Sequence, residues 1–388
     1  MRKLLLIINP VAGRNQAQAD LFKMVRVFAE HDCEVTVYPT RGPQDCTRKV
    51  LPCGFTNPSA FSRCPIPPWY GSCPQPELRS FCPMKHIFVI NPTAGKTDVS
   101  VTLVPRIHAL FAGREKEMEI HLTTCVGDAT RFVRERCAAA GGERLRFYSC
   151  GGDGTMNEIL QGLAGCPDAA LGVIPCGSGN DFVRSFPGYD FTDLEAQIAG
   201  EEHLIDLLRF NGTWSANMCS AGLDSDVCKN MIRYKRLPFV TGSGAYILAL
   251  IAAFFSPMGK KAHFVLDDGR TFDENVLIMV MSNGGFYGGG WNGAPKFNVE
   301  DGLMDLCIVR KISRPRILKV IGKYQKGRHV DDPTMADCVV YTRCRSLTID
   351  FEQPTTLNAD GEVSESTHVE AHMAPLALPL ILPKKKAE

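Results

Sequence analysis

From residue 84 to residue 203, short apolar runs alternate regularly with stretches of helical period. The apolar runs have the length of β-strands and occur at Ile87–Ile90, Glu119–Leu122, Leu145–Ser149 and Ala170–Ile174. A chain that alternates strand and helix in this way forms a mostly parallel sheet, which binds ligands at the carboxyl ends of its strands. The sequence therefore predicts an α/β fold that opens with a Rossmann-like domain over residues 84–203.

Beyond residue 204 the pattern changes to strand-length runs separated by turns. The clearest runs lie at Ala262–Leu266, Val276–Ser282, Met304–Val309 and Ser346–Ile349. We therefore predict that residues 204–369 form a second, β-rich domain, built as an antiparallel sandwich. The apolar tail within residues 370–388 is predicted to add a final strand that returns to the first domain.

The start of the alternating region also occurs earlier in the chain. Residues 4–13 have the sequence LLLIINPVAG, and residues 86–95 have the sequence HIFVINPTAG. We interpret residues 1–50 as a truncated duplicate and residues 51–83, crowded with Pro and Cys, as a linker, so that the working protein begins near Met84. The four cysteines of the linker suggest a metal site as the alternative, but their wide spacing lacks a close pair of ligands.

Charge, hydropathy and cysteine spacing exclude several classes of protein. The 388 residues carry a formal net charge of +1, which gives no electrostatic basis for binding nucleic acid. The longest apolar run, Ala245–Phe255, is too short to be a transmembrane segment. The 16 cysteines are scattered without a C-x-x-C pair or an export signal, so reduced thiols and a cytoplasmic location are expected.

The segment Cys150–Glu158, with the sequence CGGDGTMNE, follows a predicted strand and begins a predicted helix. At such a junction, backbone N–H groups and the helix dipole hold phosphate, and glycines let the main chain approach it closely. The acid between the glycines, Asp153, is suited to bind Mg²⁺ that is itself bound to phosphate. The alternative is a structural turn, which would not need an acid at this position.

Two further polar loops follow predicted strands. Residues Asn91–Thr97, NPTAGKT, resemble the end of a P-loop, but Ile90 stands where a P-loop needs glycine, so this is not a Walker A motif. Lys96 still offers a positive charge to phosphate. Residues Pro175–Asp181, PCGSGND, follow the fourth strand. Three such loops at one edge of a sheet predict a nucleotide-binding cleft.

Six motifs follow one another along the chain: NPTAGK, GDA at residues 127–129, GGDGTMNE, PCGSGND, DGL at residues 301–303 and NADGE at residues 358–362. With them, the chain from about Met84 to the C-terminus resembles the diacylglycerol kinase catalytic-domain family, especially its soluble bacterial lipid kinases. GGDGT alone is shared with NAD kinases, whereas the ordered set is much more specific. The resemblance implies an ATP-dependent lipid kinase, which is a phosphotransferase with an alcohol acceptor.

The resemblance also implies roles for individual residues. Those expected to contact ATP are Asn91, Pro92, Thr93, Ala94, Gly95, Thr123, Gly152, Asp153, Gly154, Thr155, Met156, Asn157, Glu158 and Ser178. Asp301, with the main-chain carbonyls of Asn298 and Leu303, is expected to hold a structural Mg²⁺. Glu362 is expected to accept the proton of the acceptor hydroxyl, with Asp360 beside it. The family commonly has threonine where this chain has Ser178, and sphingolipid-type kinases also use serine there, so the lipid is left open.

Asp360 and Glu362 also suit these roles on chemical grounds, because a positioned carboxylate can take the proton of a poor nucleophile. The alternative for this pair is a hairpin turn with two solvated acids. We expect a kinase that visits the membrane surface, converts diacylglycerol to phosphatidic acid and forms a homodimer, as the family suggests. The alternatives are a kinase of a soluble substrate such as NAD and a non-catalytic lipid- or nucleotide-binding module. The apolar helix predicted at Tyr246–Phe255 is either core or a contact for acyl chains.

Overall fold

The computed structural model describes residues 2–8, 33–39, 84–95, 97–166, 168–177, 179–234 and 242–385. The chain divides into two compact units, Met1–Gln75 and Pro76–Glu388. In the first unit, strands β1 (Arg2–Ile8) and β2 (Cys33–Pro39) pair in parallel. The predicted linker with its four cysteines, most of the predicted duplicate, Lys96 and Ser178 lie outside the described residues.

The second unit begins with four strands joined by helices. The strands are β3 (Met84–Ile90), β4 (Met118–Leu122), β5 (Arg144–Gly151) and β6 (Ala169–Pro175), and the helices are α1 (Ser100–Leu110), α2 (Asp128–Ala138) and α3 (Asp153–Leu163). The strands lie in the order β4-β3-β5-β6, and neighbouring strands are parallel. Ile87 and Val89 of β3 pack with residues of α2 and α3, whereas Phe88 and Ile90 pack with residues of α1. Helices thus cover both faces, which explains why residues 87–90 of this strand are all apolar.

The rest of the second unit is rich in β-structure. Its strands are β7 (Glu201–Phe210), β8 (Thr213–Ser215), β9 (Met218–Gly222), β10 (Lys260–Leu266), β11 (Thr271–Ser282), β12 (Phe286–Tyr287), β13 (Trp291–Asn292), β14 (Met304–Arg310), β15 (Val339–Cys344), β16 (Ser346–Ala359) and β17 (Glu362–Leu382). Its helices are α4 (Leu194–Ile198), α5 (Leu223–Tyr234), α6 (Gly242–Phe255) and α7 (Arg314–Gln325). Strands β15-β14-β11-β10-β16-β17 pair in that order, each antiparallel to the next. The prediction of a mixed α/β chain with a β-rich C-terminal part is confirmed.

Strand β17 joins the two kinds of sheet. Its first half pairs antiparallel with β16, and near its end Leu380 pairs in parallel with Leu171 of β6. The same strand runs antiparallel to β7, with a shift of register between Ala374 and Leu378. The apolar tail therefore lies at the centre of one continuous sheet, beside the parallel strands. The division at residues 203 and 204 stays a prediction.

Helices α5 and α6 pack on each other through Val227, Ala249 and Ala253, all of which are buried. The opposite side of α6 is exposed: Ile251 is 50% and Phe255 is 72% accessible to solvent. Within the described part of the chain, no helix is both long and apolar enough to cross a membrane.

Candidate active site

Two of the three predicted loops are in direct backbone contact. The N–H groups of Cys176 and Gly177, which follow β6, both donate to the carbonyl oxygen of Gly151 at 3.0 Å. A Cβ atom on Gly177 would lie 2.7 Å from the Cα of Gly152, which is too close for any side chain. The glycines therefore let the ends of β5 and β6 approach each other without side chains between them.

The third loop, after β3, is held to the same place by Asn91. Its N–H donates to the carbonyl oxygen of Cys150 at 3.0 Å, and its Nδ2 donates to Thr155 Oγ1 of α3 at 3.3 Å. The N–H and Oγ1 of Thr93 both donate to Asn91 Oδ1, at 3.0 and 2.9 Å. A Cβ on Gly95 would lie 3.3 Å from the carbonyl oxygen of Cys176. All three loops therefore meet at the carboxyl ends of β3, β5 and β6.

Other residues implied to contact ATP lie around this junction. Thr123 follows β4, and its N–H donates to the carbonyl oxygen of Ile90, the last residue of β3. The N–H of Ala94 donates to the carbonyl oxygen of Asn91, which closes the turn that contains Pro92. Gly154 is exposed in the first turn of α3. Their contacts with a nucleotide stay predictions.

Asp153 begins α3 inside the junction. Its N–H donates to the carbonyl oxygen of Gly179 at 3.0 Å, and its Oδ2 accepts from the N–H of Asp181 at 3.1 Å. Burial, together with the negative charges of Asp181 and Asp360, raises the pKa of Asp153 to about 6. The predicted Mg²⁺ ligand therefore lies in a partly dehydrated site that already carries an excess of negative charge.

Asp360 belongs to the tight turn between β16 and β17. Asp360 and Gly361 have φ angles of 47° and 99°, as in a type I′ hairpin turn. The carboxylate of Asp360 accepts from the N–H groups of Ala216 at 3.1 Å and Met218 at 2.9 Å. Burial raises the pKa of Asp360 above its usual value. Its charge also acts on Asp153, so an acid of the β-rich part lies beside the loops of the parallel sheet.

Glu362 is exposed and begins β17, where it pairs with Ala359 across the turn. The hairpin turn named as an alternative is therefore present. Its description as two solvated acids fits Glu362 alone, because the carboxylate of Asp360 is partly buried and bonded to main-chain N–H groups.

Three further side chains of the GGDGTMNE motif contact protein groups. Met156 lies in the hydrophobic core and is 1% exposed. Asn157 Nδ2 donates to the carbonyl oxygen of Trp214 at 3.4 Å, which ties α3 to β8. Glu158 Oε2 accepts from the N–H of Ala129 at 3.2 Å, near the start of α2. These side chains anchor α3, and their predicted contact with ATP stays a prediction.

An arginine of β15 pairs with the predicted metal loop. Arg343 Nη1 lies 3.2 Å from Asp301 Oδ2, and its Nε lies 2.8 Å from Oδ1 of the buried Asp305. Asp301 Oδ1 accepts from the N–H of Leu303 at 3.0 Å, and Asn298 Oδ1 accepts from a neighbouring main-chain N–H at 3.1 Å. Within the described ranges, no group of three or more His, Cys, Asp and Glu residues could hold a metal ion. The Asp301 carboxylate is paired with Arg343, and its role as a metal ligand with the carbonyls of Asn298 and Leu303 stays a prediction.

Asp206, which the sequence analysis did not single out, also bonds to the loop that contains Asp301. It is fully buried, and its carboxylate accepts from the N–H groups of Gly302 at 2.6 Å and Leu376 at 2.7 Å. Asp181 has a similar role, because its Oδ2 accepts from the N–H of Gly289 at 2.6 Å. The available signal for Asp206 was an acid in the middle of an apolar strand, a position that a protein tolerates only when the acid is bonded.

Comparison with known proteins agrees with these features. Residues 85–210 match the family model "Diacylglycerol kinase catalytic domain", and residues 217–382 match "YegS C-terminal NAD kinase beta sandwich-like domain". A diacylglycerol kinase of Mycobacterium tuberculosis is 31% identical over 292 residues, which cover 72% of this chain and 91% of that protein. A diacylglycerol kinase of Bacillus subtilis is 28% identical, with coverage of 77% and 97%.

Two further similarities extend this result. A probable YegS-like lipid kinase of Chromohalobacter salexigens is 30% identical, and the match covers 71% of this chain and 88% of that protein. The crystal structure of a putative diacylglycerol kinase from Bacillus anthracis matches with a TM-score of 0.60 at 22% identity, over 77% of this chain and 96% of that one. The resemblance drawn from the sequence motifs is confirmed, and the structural match shows a common fold.

Proposed function

Because the chain belongs to the diacylglycerol kinase family of lipid kinases, and is therefore a phosphotransferase with an alcohol acceptor, we propose that it phosphorylates diacylglycerol to phosphatidic acid with ATP. The observation that carries this proposal is that the loops after β3, β5 and β6 meet around Asp153, on which the charge of Asp360 also acts. One acid follows the phosphate-type loop and the other belongs to the NADGE turn, so a nucleotide and an acceptor alcohol can meet between them.

In this proposal the parallel part of the second unit is a Rossmann-like nucleotide domain. The loops after β3, β5 and β6 would surround the phosphates of ATP, as their contacts at Gly151, Gly177 and Asn91 suggest. Backbone N–H groups and the start of α3 would face the negative charge of the phosphates. Ser178 is assigned to the same loop set by the sequence motif alone.

Asp153 is the residue we assign to Mg²⁺ carried by ATP. Its surroundings fit a divalent cation because Asp181 and Asp360 add negative charge to a buried carboxylate. Such a metal ion neutralises charge on the transferring phosphoryl group when it is bound. Because Arg343 pairs with the Asp301 carboxylate, we assign no step of the reaction to a metal ion in that loop.

Glu362 is the residue we assign to proton transfer. It is exposed, whereas the carboxylate of Asp360 already accepts two main-chain N–H groups. Asp360 would thereby fix the turn that presents Glu362 to the acceptor hydroxyl. Removal of the hydroxyl proton as the phosphoryl group transfers lowers the barrier for a poor nucleophile.

Contact with the membrane surface is assigned to the exposed side of α6. Leu248, Ile251 and Phe255 are exposed there, and Arg314 Nε donates to the carbonyl oxygen of Phe254 at the end of this helix. Phe255→Asn should reduce co-sedimentation with phosphatidylcholine vesicles, and unchanged sedimentation would contradict this assignment. A homodimer and a cytoplasmic location remain predictions.

The test of the proposal is the transfer of label from ATP labelled in its γ-phosphate. The full chain would be incubated with Mg²⁺ and with dispersed diacylglycerol, sphingosine, ceramide or phosphatidylglycerol, and with NAD as a soluble control. Label in phosphatidic acid supports the proposal. Label in another lipid alone would keep the reaction class and correct the substrate, and label in NAD alone would overturn the lipid acceptor.

A further inference from the structure

An apolar cavity lies at the end of α3 that is remote from Asp153. It has a volume of about 380 Å³ and lies where α3, β7 and β17 meet. The side chains that matter for its character are Leu160, Leu163, Leu207, Trp214, Ala377 and Leu378. The shift of register in β17 between Ala374 and Leu378 falls at this place, where Ala377 and Leu378 line the cavity.

The cavity is separate from the candidate active site. Asp153 begins α3 and Leu163 ends it, so the two lie about 15 Å apart at the rise of an α-helix. The side of the cavity formed by Trp214 is fixed to the helix, because Gln161 Nε2 donates to the Trp214 carbonyl oxygen at 2.6 Å. The active-site motifs therefore do not account for this cavity.

The lining favours a hydrocarbon ligand. Among the described residues it consists of aliphatic side chains, small residues, one thiol and one indole, with no charged residue. The volume lies in the range of about 300–1,000 Å³ that is usual for small-molecule sites. An aliphatic chain would remove apolar surface from water on both sides of the contact.

A cation lies beside the apolar lining. The guanidinium carbon of Arg209 lies 5.4 Å from the centre of the Trp214 ring, and Arg209 is exposed. In the part of the chain that the structure describes, Arg209 forms no ion pair with a carboxylate. Its charge is therefore available to an anion on a ligand that enters past Trp214.

We propose that this cavity binds one acyl chain of an anionic lipid, with the head group at Arg209. A fatty acid and a phosphatidic acid share this chemistry. The site does not depend on which alcohol the enzyme phosphorylates, so it stands apart from the proposed acceptor.

The test uses Trp214 as the reporter. The chain has three tryptophans, and the variant Trp69→Phe/Trp291→Phe leaves only this one. A bromine atom quenches an indole at contact, so dibromostearate should quench its fluorescence with saturation at one ligand per chain. Absence of quenching both by dibromostearate and by brominated phosphatidic acid in phosphatidylcholine vesicles would overturn the proposal.

Two matched variants locate the ligand. Ala377 is exposed and lines the cavity, so Ala377→Phe in the same background should block entry and abolish quenching, whereas Ala377→Ser should retain it. Circular dichroism and thermal unfolding would show that both variants fold. Equal quenching in the two folded variants would place the ligand elsewhere and refute the site.

Charge and chain length give independent readouts. Arg209→Gln should weaken binding by about two- to fivefold, and Lys319→Gln on α7, which removes the same charge, should not. Each methylene from octanoate upward should tighten binding about fourfold until the cavity is full, after which the affinity should level off. An increase without a plateau would indicate unspecific partition and contradict a finite cavity.

The form in which the lipid is added distinguishes a free fatty acid from a phospholipid as the source of the acyl chain. Quenching by soluble dibromostearate alone identifies a fatty acid, and quenching by brominated phosphatidic acid in phosphatidylcholine vesicles identifies the phospholipid. Either result supports the acyl-chain site. Lipid phosphorylation is measured separately on the same protein, so failure of the proposed kinase reaction and failure of this site remain distinguishable.

Discussion

Replacing Gly177 by alanine tests whether close contact between the loops is required for nucleotide binding. The new Cβ would lie 2.7 Å from the Cα and 2.9 Å from the N of Gly152, where ordinary contact begins at 3.4 Å. Because both neighbours are main-chain atoms, the loops must separate by about 0.7 Å at the nearer contact. Strain of this kind costs about 1–3 kcal/mol of unfolding free energy. A displacement approaching 1 Å should lower kcat/KM for ATP by roughly 10- to 100-fold.

The matched control is Gly322→Ala. Gly322 lies in α7, and a Cβ there meets no atom within 4 Å, so the variant should keep its activity and gain about 0.5–1 kcal/mol of stability. Urea unfolding and ATP-dependent kinetics would be measured on both variants. If Gly177→Ala folds and its ATP kinetics equal those of Gly322→Ala, the loops after β5 and β6 do not form the nucleotide site.

Three further changes probe individual acids and their partners. Asp360→Asn removes a negative charge that raises the pKa of Asp153, so the fall in kcat/KM as pH drops through about 6 should move to lower pH; an unmoved limb would contradict their proximity. Glu362→Gln should lower kcat by orders of magnitude while ATP binding persists, and near-normal kcat would exclude it as the proton acceptor. Arg343→Gln leaves a buried acid without its guanidinium and should cost about 1–3 kcal/mol in thermal unfolding with EDTA present. Unchanged stability would show that the ion pair does not hold the Asp301 loop.

The alternation of strands and helices could be predicted because it depends on local periodicity. The apolar runs predicted at Ile87–Ile90 and Leu145–Ser149 fall inside β3 and β5, which are buried between helices. The turn at Asp360 and Gly361 could also be predicted from the sequence, because Asp-Gly favours the positive φ angles of a two-residue hairpin. Each of these features depends on residues close together in the chain.

What the sequence could not provide is the partner of each polar side chain. The acid at Asp360 bonds to Ala216, 144 positions away, and Asp206 bonds to Leu376, 170 positions away. Periodicity tells which face of a strand is buried but not which distant main-chain group approaches it. The pairing of Arg343 with Asp301 was hidden for the same reason, and it changes how the predicted metal loop is understood.

The most direct test of the central claim compares phosphoryl transfer by the wild-type chain and by Asp153→Ala. With labelled ATP, Mg²⁺ and dispersed diacylglycerol, the wild type should form labelled phosphatidic acid, and Asp153→Ala should form none while remaining folded. Labelled product from both proteins at similar rates would contradict the assignment of Asp153 and of the cleft around it.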